Sequence, residues 1–345
     1  MNFIRKILYP FSFIYGMVTT VRNWLYDAGI KKSTKFKIPT IIVGNLSVGG
    51  TGKTPQIELL VRLLKDRYKV AVLSRGYKRK STGFLLASPE VSVEELGDEP
   101  FQFYTKFSTI LVAVDARRVH GIQQLLALET PPEIVLLDDA YQHRKVQGGC
   151  VILLTPYDDL YVNDSMLPTG NLRESSRGAK RAQVIIVTKC PFNLSLEAQA
   201  DIRNQLKPTL SQNVFFSAIV YEEQLLGAQE VYVSDLVNYK VVLVTGIANP
   251  NPLLDFFKTR NISLTHLNYP DHHHFTPSDV SVIQNALSAQ KSKKKIVITT
   301  EKDYVRLKNK VPNLSYISIK IKILNHQGDF NQIITDYVEQ SRGNR

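Results

Sequence analysis

Cysteine is nearly absent from this chain: Cys150 and Cys190 are its only two in 345 residues. Neither belongs to a C-x-x-C pair, which excludes a disulfide scaffold and points to a reducing compartment. A membrane-spanning run is missing from the head of the chain as well. Residues 7–21 carry no charge, but these 15 residues fall short of the roughly 20 a bilayer requires. Pro10, Gly16 and two threonines dilute them further. No A-x-A-like cleavage site follows, and a Lys/Arg cluster lies downstream, so a secretory signal fits poorly. Acidic residues are short by comparison with basic ones, 31 against 43, leaving a formal charge of +12. No internal repeat, low-complexity segment or nucleic-acid-binding motif accompanies that excess, which argues against a nucleic-acid partner.

Apolar residues make up 43% and charged residues 21%, a balance that excludes both disorder and a multi-span membrane protein. The length suggests about two domains. Half of the net charge sits in residues 1–40, where Arg5, Lys6, Arg22, Lys31, Lys32, Lys35 and Lys37 face Asp27 alone. Between them Ile4, Ile7, Leu8, Phe11, Ile14, Tyr15, Val18 and Leu25 recur at helical spacing, with Trp24 and Tyr26 near the far end. An aromatic helix flanked by cations suits the headgroup region of an anionic leaflet. The plainer alternative is an amphipathic helix docked on the protein core. Pro10 marks a helix start or a kink.

Beyond this head, short apolar runs at 40–43, 70–73, 109–114, 134–137, 151–154 and 184–187 read as strands, with amphipathic stretches such as 56–65 and 118–128 between them. The alternation predicts a parallel sheet wrapped by helices. A second series runs from 241 to 299. Residues 215–221 and 315–323 stand outside the rhythm and suggest a two-stranded ribbon between lobes; the latter alternates Ile317, Ile319, Ile321 and Ile323 with polar residues.

The most specific pattern is Gly44-Asn45-Leu46-Ser47-Val48-Gly49-Gly50-Thr51-Gly52-Lys53-Thr54-Pro55, a strand running through a glycine-rich turn into a helix. Such a turn aims backbone N–H groups at phosphate oxygens, aided by the helix dipole. Residues 47–52 would form the cradle. Lys53 would reach the β- and γ-phosphates, and the Thr54 hydroxyl would complete a Mg²⁺ shell. Ser47 stands where the phosphate-loop pattern has glycine. Four apolar residues then deliver Asp138 and Asp139 to a strand's C-terminal edge, where a metal held by carboxylates belongs; sequence does not decide which of the two faces it.

The 44–55 segment closely resembles the tetraacyldisaccharide 4'-kinase family of lipid A assembly. Matching motifs follow in the same order: Ser74-Arg75-Gly76-Tyr77, Gly97-Asp98-Glu99-Pro100, Asp138-Asp139-Ala140-Tyr141-Gln142-His143, Leu172-Arg173-Glu174, Thr245-Gly246-Ile247-Ala248-Asn249-Pro250, Asp271-His272-His273 and Thr300-Glu301-Lys302-Asp303. Ala140 and Tyr141 replace the family's usual Gly and Phe. The resemblance implies an α/β fold: a P-loop NTPase-like parallel-sheet lobe and a second smaller α/β lobe joined by a two-stranded β ribbon, with an N-terminal amphipathic membrane-associated helix. The corresponding division is 1–36 for the head, 37–212 for the kinase domain, 213–236 and 312–324 for the ribbon, 237–311 for the second lobe and 325–345 for a C-terminal helix.

It further implies ATP and Mg²⁺ as cofactors and transfer of a phosphate to the 4'-hydroxyl of a tetraacylated glucosamine disaccharide 1-phosphate. That substrate is a glycolipid in the membrane, which places the enzyme at the cytoplasmic face of the bacterial inner membrane, held peripherally or monotopically. No obligate protein partner is evident. By the same resemblance Asp98 is the base that accepts the hydroxyl proton and His272 its partner. Arg118, Gln142 and Arg173 are substrate contacts, guanidinium groups being suited to phosphate oxygens. Thr300-Glu301-Lys302-Asp303 carries no assigned role. The competing class is a membrane-associated P-loop ATPase switch, which leaves Asp98, His272 and the second lobe without a purpose.

Overall fold

The computed structural model describes residues 5, 7–271 and 273–343. Its contacts divide the chain into two compact units, residues 1–90, 103–219 and 321–345 forming one and residues 91–102 with 220–320 the other. The segment bearing Asp98 therefore belongs to the second unit, although it lies inside the 37–212 stretch of the chain.

Among the described residues the first unit holds a sheet of nine strands. From one edge they run Ile319–Leu324, Asn213–Tyr221, Val184–Thr188, Cys150–Pro156, Thr40–Asn45, Ile134–Asp138, Val70–Ser74, Leu111–Val114 and Leu85–Leu86. The seven from Asn213–Tyr221 to Leu111–Val114 pair in parallel. The central strands are continuous apolar runs because both faces are covered. Val135 and Leu137 meet Ile122 and Leu125 of the helix Arg118–Leu126 on one face, while the helix Lys53–Leu64 packs on Thr40–Asn45 and Ile134–Asp138. Ser47 to Thr54 and Asp138-Asp139 consequently emerge at the same C-terminal edge, from adjacent strands. The C-terminal helix Gln327–Gly343 buries Phe330, Ile334 and Val338. Its Tyr337 hydroxyl accepts from Thr40 N–H at 2.9 Å and donates to Thr40 O at 3.1 Å, fixing the start of the phosphate-loop strand.

The second unit is built on strands ordered Leu226–Gly227, Leu314–Ile317, Lys295–Thr300, Lys240–Thr245 and Leu264–Asn268, with helices Asn251–Lys258, Pro277–Ser288 and Glu301–Leu307. Ile319–Leu324 and Asn213–Tyr221 lie side by side, as the two-stranded reading expects, but two details change. Residues 213–216 pair in parallel with 184–187, so this strand continues the main sheet rather than standing outside it. The alternating run at 315–323 is two strands: Leu314–Ile317 lies parallel to Lys295–Thr300 in the small sheet, and Ile319–Leu324 joins the large one. Period-two alternation specifies an extended chain, not the sheet it joins.

The head forms a helix, Tyr9–Asp27, with Pro10 in its first turn, where a missing N–H costs nothing. Its polarity is inverted. Ser12 and Thr19 are the buried residues, whereas Phe11, Phe13, Ile14, Met17, Val18 and Trp24 are exposed, Phe13 by 70%. Ser12 Oγ donates to Thr169 Oγ1 at 2.7 Å and accepts from Thr169 N–H at 3.0 Å. Tyr15 Oη donates to Arg173 O at 3.0 Å. The helix is thus attached through polar groups, Asn23 and Asp27 among them, and turns its apolar surface outward, which sets aside docking on the core by an apolar face. No helix among the described residues is long and apolar enough to cross a membrane.

Candidate active site

The phosphate loop closes because glycine stands where its backbone demands it. Gly49 and Gly52 adopt φ of 111° and 85°, the left-handed region in which a side chain would be strained. Gly52 is also the N-cap of Lys53–Leu64, so the loop opens directly onto a helix N-terminus. Ser47 pairs antiparallel with Leu172, an extended conformation open to any residue, which explains why glycine is dispensable there. Gly44 is required by a neighbour: a Cβ on it would lie 2.7 Å from Tyr141 Cβ and 2.9 Å from Tyr141 N. Its absence lets the turn after Asp138-Asp139 close against the phosphate-loop strand.

Lys53 and the two aspartates meet at this edge. Lys53 Nζ lies 3.5 Å from Asp139 Oδ1 and donates to Asn45 Oδ1 at 3.2 Å. Arg173 Nη1 approaches the same Asp139 oxygen at 3.4 Å. Asp139 takes φ 47°, a left-handed value that a short polar side chain tolerates. Asp138 is buried, and its Oδ2 accepts from Ser74 Oγ at 3.1 Å. Burial, followed by the neighbouring Asp139 charge, raises the Asp138 carboxyl above its ordinary range. Burial also acts to raise Asp139, but Lys53 and then Arg173 outweigh it, so that carboxyl is lowered and ionised. The pair is asymmetric, one aspartate seated in the protein and one partly exposed between two cations.

Of the other predicted contacts, Arg118 is buried and Gln142 is partly buried. Arg118 is 2% exposed, donates to the carbonyls of Asp115 and, at 3.3 Å, Asp138, and leaves Nε buried without a partner. It holds the end of the Asp138 strand from below. Gln142 Nε2 donates to Asn45 O at 2.8 Å and Glu174 Oε1 at 3.2 Å. Glu174, fully buried, also accepts from Asn23 Nδ2 at 2.6 Å and pairs with Arg181 at 2.9 Å. This carboxylate ties the N-terminal helix, the 139–142 turn and Arg181 together, a role that only its place beside Leu172-Arg173 hinted at. His143 is pushed down to about 4, by burial first and then by the positive charges of Arg118 and Arg75. The environment of the two aspartates is strongly cationic.

The oxygen donors of Asp138, Asp139 and Thr54 are of the hard kind that Mg²⁺ prefers. Space at the loop suits a polyphosphate: a Cβ on Gly49 or Gly50 would meet nothing within 4 Å, and Thr51 Oγ1 is buried with no hydrogen-bond partner. Asp98 lies in the second unit at the start of the helix Asp98–Lys106, where Arg306 Nη1 stands 4.0 Å from its Oδ2. His272 falls outside the described residues. Among the described residues no group of three or more His, Cys, Asp and Glu could hold a metal.

A loop of this geometry fits many nucleotide enzymes, and the sequence as a whole decides among them. Residues 4–339 match the family model described as tetraacyldisaccharide-1-P 4'-kinase. The chain belongs to this family. A tetraacyldisaccharide 4'-kinase of Flavobacterium johnsoniae is 53% identical over 99% of both chains. That of Bacteroides thetaiotaomicron is 45% identical over 99% of this chain and 95% of its own. The "apo" form LpxK of Aquifex aeolicus, crystallised in complex with ATP, superposes with a TM-score of 0.78 at 31% identity, covering 97% of this chain and 99% of that one. The α/β architecture with parallel-sheet lobes is therefore shared with that kinase.

Proposed function

We propose that this enzyme transfers the γ-phosphate of ATP to the 4'-hydroxyl of a tetraacylated glucosamine disaccharide 1-phosphate, forming the bisphosphorylated lipid A precursor. The observation that carries the reading is the convergence of Lys53, Asp139 and Arg173 beside the left-handed glycines of the phosphate loop, within a chain of this family.

In this reading the amides of residues 47–52 and Lys53 hold the β- and γ-phosphates, and Arg173 adds a second cation at the edge of the site. Asp138, Asp139 and Thr54 are the donors for Mg²⁺, which when bound neutralises phosphate charge. A sugar hydroxyl is a weak acid and must lose its proton as the new bond forms. Asp98 is the acceptor, and His272 its partner. Arg118 and Gln142 act from beneath by holding the aspartate turn.

The glycolipid is met at a bilayer. The outward apolar face of Tyr9–Asp27, flanked by Arg5, Lys31 and Lys32, suits the headgroup layer of an anionic membrane, at the cytoplasmic face where ATP is available. The test is appearance of radiolabelled γ-phosphate on a tetraacyldisaccharide 1-phosphate in detergent micelles. Label released only as inorganic phosphate, at the same rate with and without lipid, would replace the kinase by an ATPase.

A further inference from the structure

The Thr300-Glu301-Lys302-Asp303 motif opens the helix Glu301–Leu307 in the second unit. Thr300 caps it, its hydroxyl accepting from Asp303 N–H at 3.2 Å and donating to Asp303 Oδ2 at 2.7 Å. The same Oδ2 accepts from Gly246 N–H at 2.8 Å. Asp303 is completely buried, and its other oxygen pairs with Arg306, one turn along the helix. Room for this carboxylate depends on Gly246, where a Cβ would lie 3.0 Å from Asp303 Oδ1.

Arg306 is thereby locked, its side chain only 7% exposed. One face of the guanidinium is used on Asp303 and the Gly246 carbonyl, the latter at 3.4 Å. The opposite side reaches outward. Nη1 donates to His273 O at 3.1 Å and stands 4.0 Å from Asp98 Oδ2. From the first turn of the same helix Lys302 Nζ donates to Asp271 Oδ1 at 2.9 Å. One short helix thus grips the chain on both sides of position 272 and addresses Asp98. The position of a catalytic carboxylate matters, since misplacement by about 1 Å costs roughly 10²-fold in rate. Arg306, paired with Asp303, presents its Nη1 to Asp98 at the outer limit of an ion pair, so it acts on that carboxylate through its fixed charge.

We infer that Arg306, fixed by Asp303, is a positioning residue for phosphoryl transfer: it orients Asp98 and holds the His273 backbone. This rests on the reading of Asp98 as the proton acceptor. The test is steady-state transfer by the full chain in micelles, with Arg306→Gln, Arg306→Lys, Asp98→Ala and the Asp98→Ala/Arg306→Gln double variant. Arg306→Gln should lower kcat by about 10–100-fold, leave KM for ATP within twofold, and be partly rescued by Arg306→Lys. The double variant should be no slower than Asp98→Ala alone, because removing two members of one unit is not additive. Multiplying losses, or a defect confined to KM for ATP, would overturn the inference. So would full kcat in Arg306→Gln when Asp98→Ala is impaired. Full kcat in Asp98→Ala would instead sink the proton-acceptor assignment itself. Should Arg306→Gln not fold, Arg306→Lys, which keeps the charge but loses the planar fork, carries the same cycle with Asp98→Ala.

Discussion

Lys53 Nζ sits between Asp139 Oδ1, 3.5 Å away, and Asn45 Oδ1, at 3.2 Å. The ammonium is therefore held at the mouth of the phosphate loop by one charged and one neutral oxygen. Asn45 is the last residue of the buried strand Thr40–Asn45, so the tether is as rigid as the sheet. Removing the ammonium leaves Asp139 still paired with Arg173. Lys53→Ala should therefore fold normally and melt near the wild-type temperature, while kcat falls by about 10²–10³-fold through loss of preorganised charge. Radiolabel transfer and circular-dichroism melting measure the two quantities separately, and retained turnover would remove the cradle assignment.

Glu174 predicts the reverse pattern. Its carboxylate is inaccessible to solvent and serves Arg181, Asn23 and Gln142 together. Glu174→Ala strands all three, and the penalty for orphaned buried donors outweighs the modest net worth of the bonds themselves. Arg181 retains some solvent contact, which moderates the loss. A destabilisation of about 2–4 kcal/mol is expected in urea unfolding. A change below 0.5 kcal/mol would show that the cluster relaxes into water.

His143 gives the pH dependence a direction. Its folded-state pKa is depressed from 6.5 to about 4 by burial and by surrounding arginines, so the native protein holds it neutral. Between those values the unfolded chain binds more protons than the native one. Stability therefore rises with pH through this window and falls as the solution is acidified from pH 6.5 towards 4. His143→Gln should flatten this part of the profile relative to wild type. Identical slopes in the two proteins would show that other groups dominate the acid response.

Much of this architecture was legible because the central strands are buried on both sides and read as unbroken apolar runs ending in small or polar residues such as Gly44, Ser74 and Asp138. The phosphate loop and Asp138-Asp139 were legible for the same reason, since short motifs at strand ends need no knowledge of the rest of the chain. What stayed hidden depends on distant pairing. Nothing local indicates that Glu174 receives Asn23, 151 positions earlier, or that Asp303 receives Gly246, 57 positions earlier. Asp98 looked like part of the kinase lobe because it falls between two of that lobe's strands, yet its segment belongs to the second unit. Arg118 and Gln142 have the chemistry of phosphate ligands and spend it on backbone carbonyls and a buried glutamate. Helical periodicity located a stripe on Tyr9–Asp27 but could not say whether that stripe looks inward.

That outward stripe supplies the last prediction. Phe11, Phe13 and Trp24 are each more than half exposed and do not hold the helix to the protein; Ser12, Tyr15 and Asn23 do, through Thr169, Arg173 and Glu174. Replacing the three aromatics by serine should leave the melting temperature unchanged. Partitioning onto vesicles containing phosphatidylglycerol should fall by about 100-fold, each ring contributing roughly 1 kcal/mol at the interface. Binding by the wild type should also weaken as salt rises from 0.01 to 0.1 M, where the screening length shortens from about 30 to 10 Å and masks Lys31 and Lys32. Flotation assays at the two salt concentrations read both effects. If the triple variant floated as well as wild type, the exposed face would belong to a protein partner, and turnover on micellar glycolipid would be independent of those three rings.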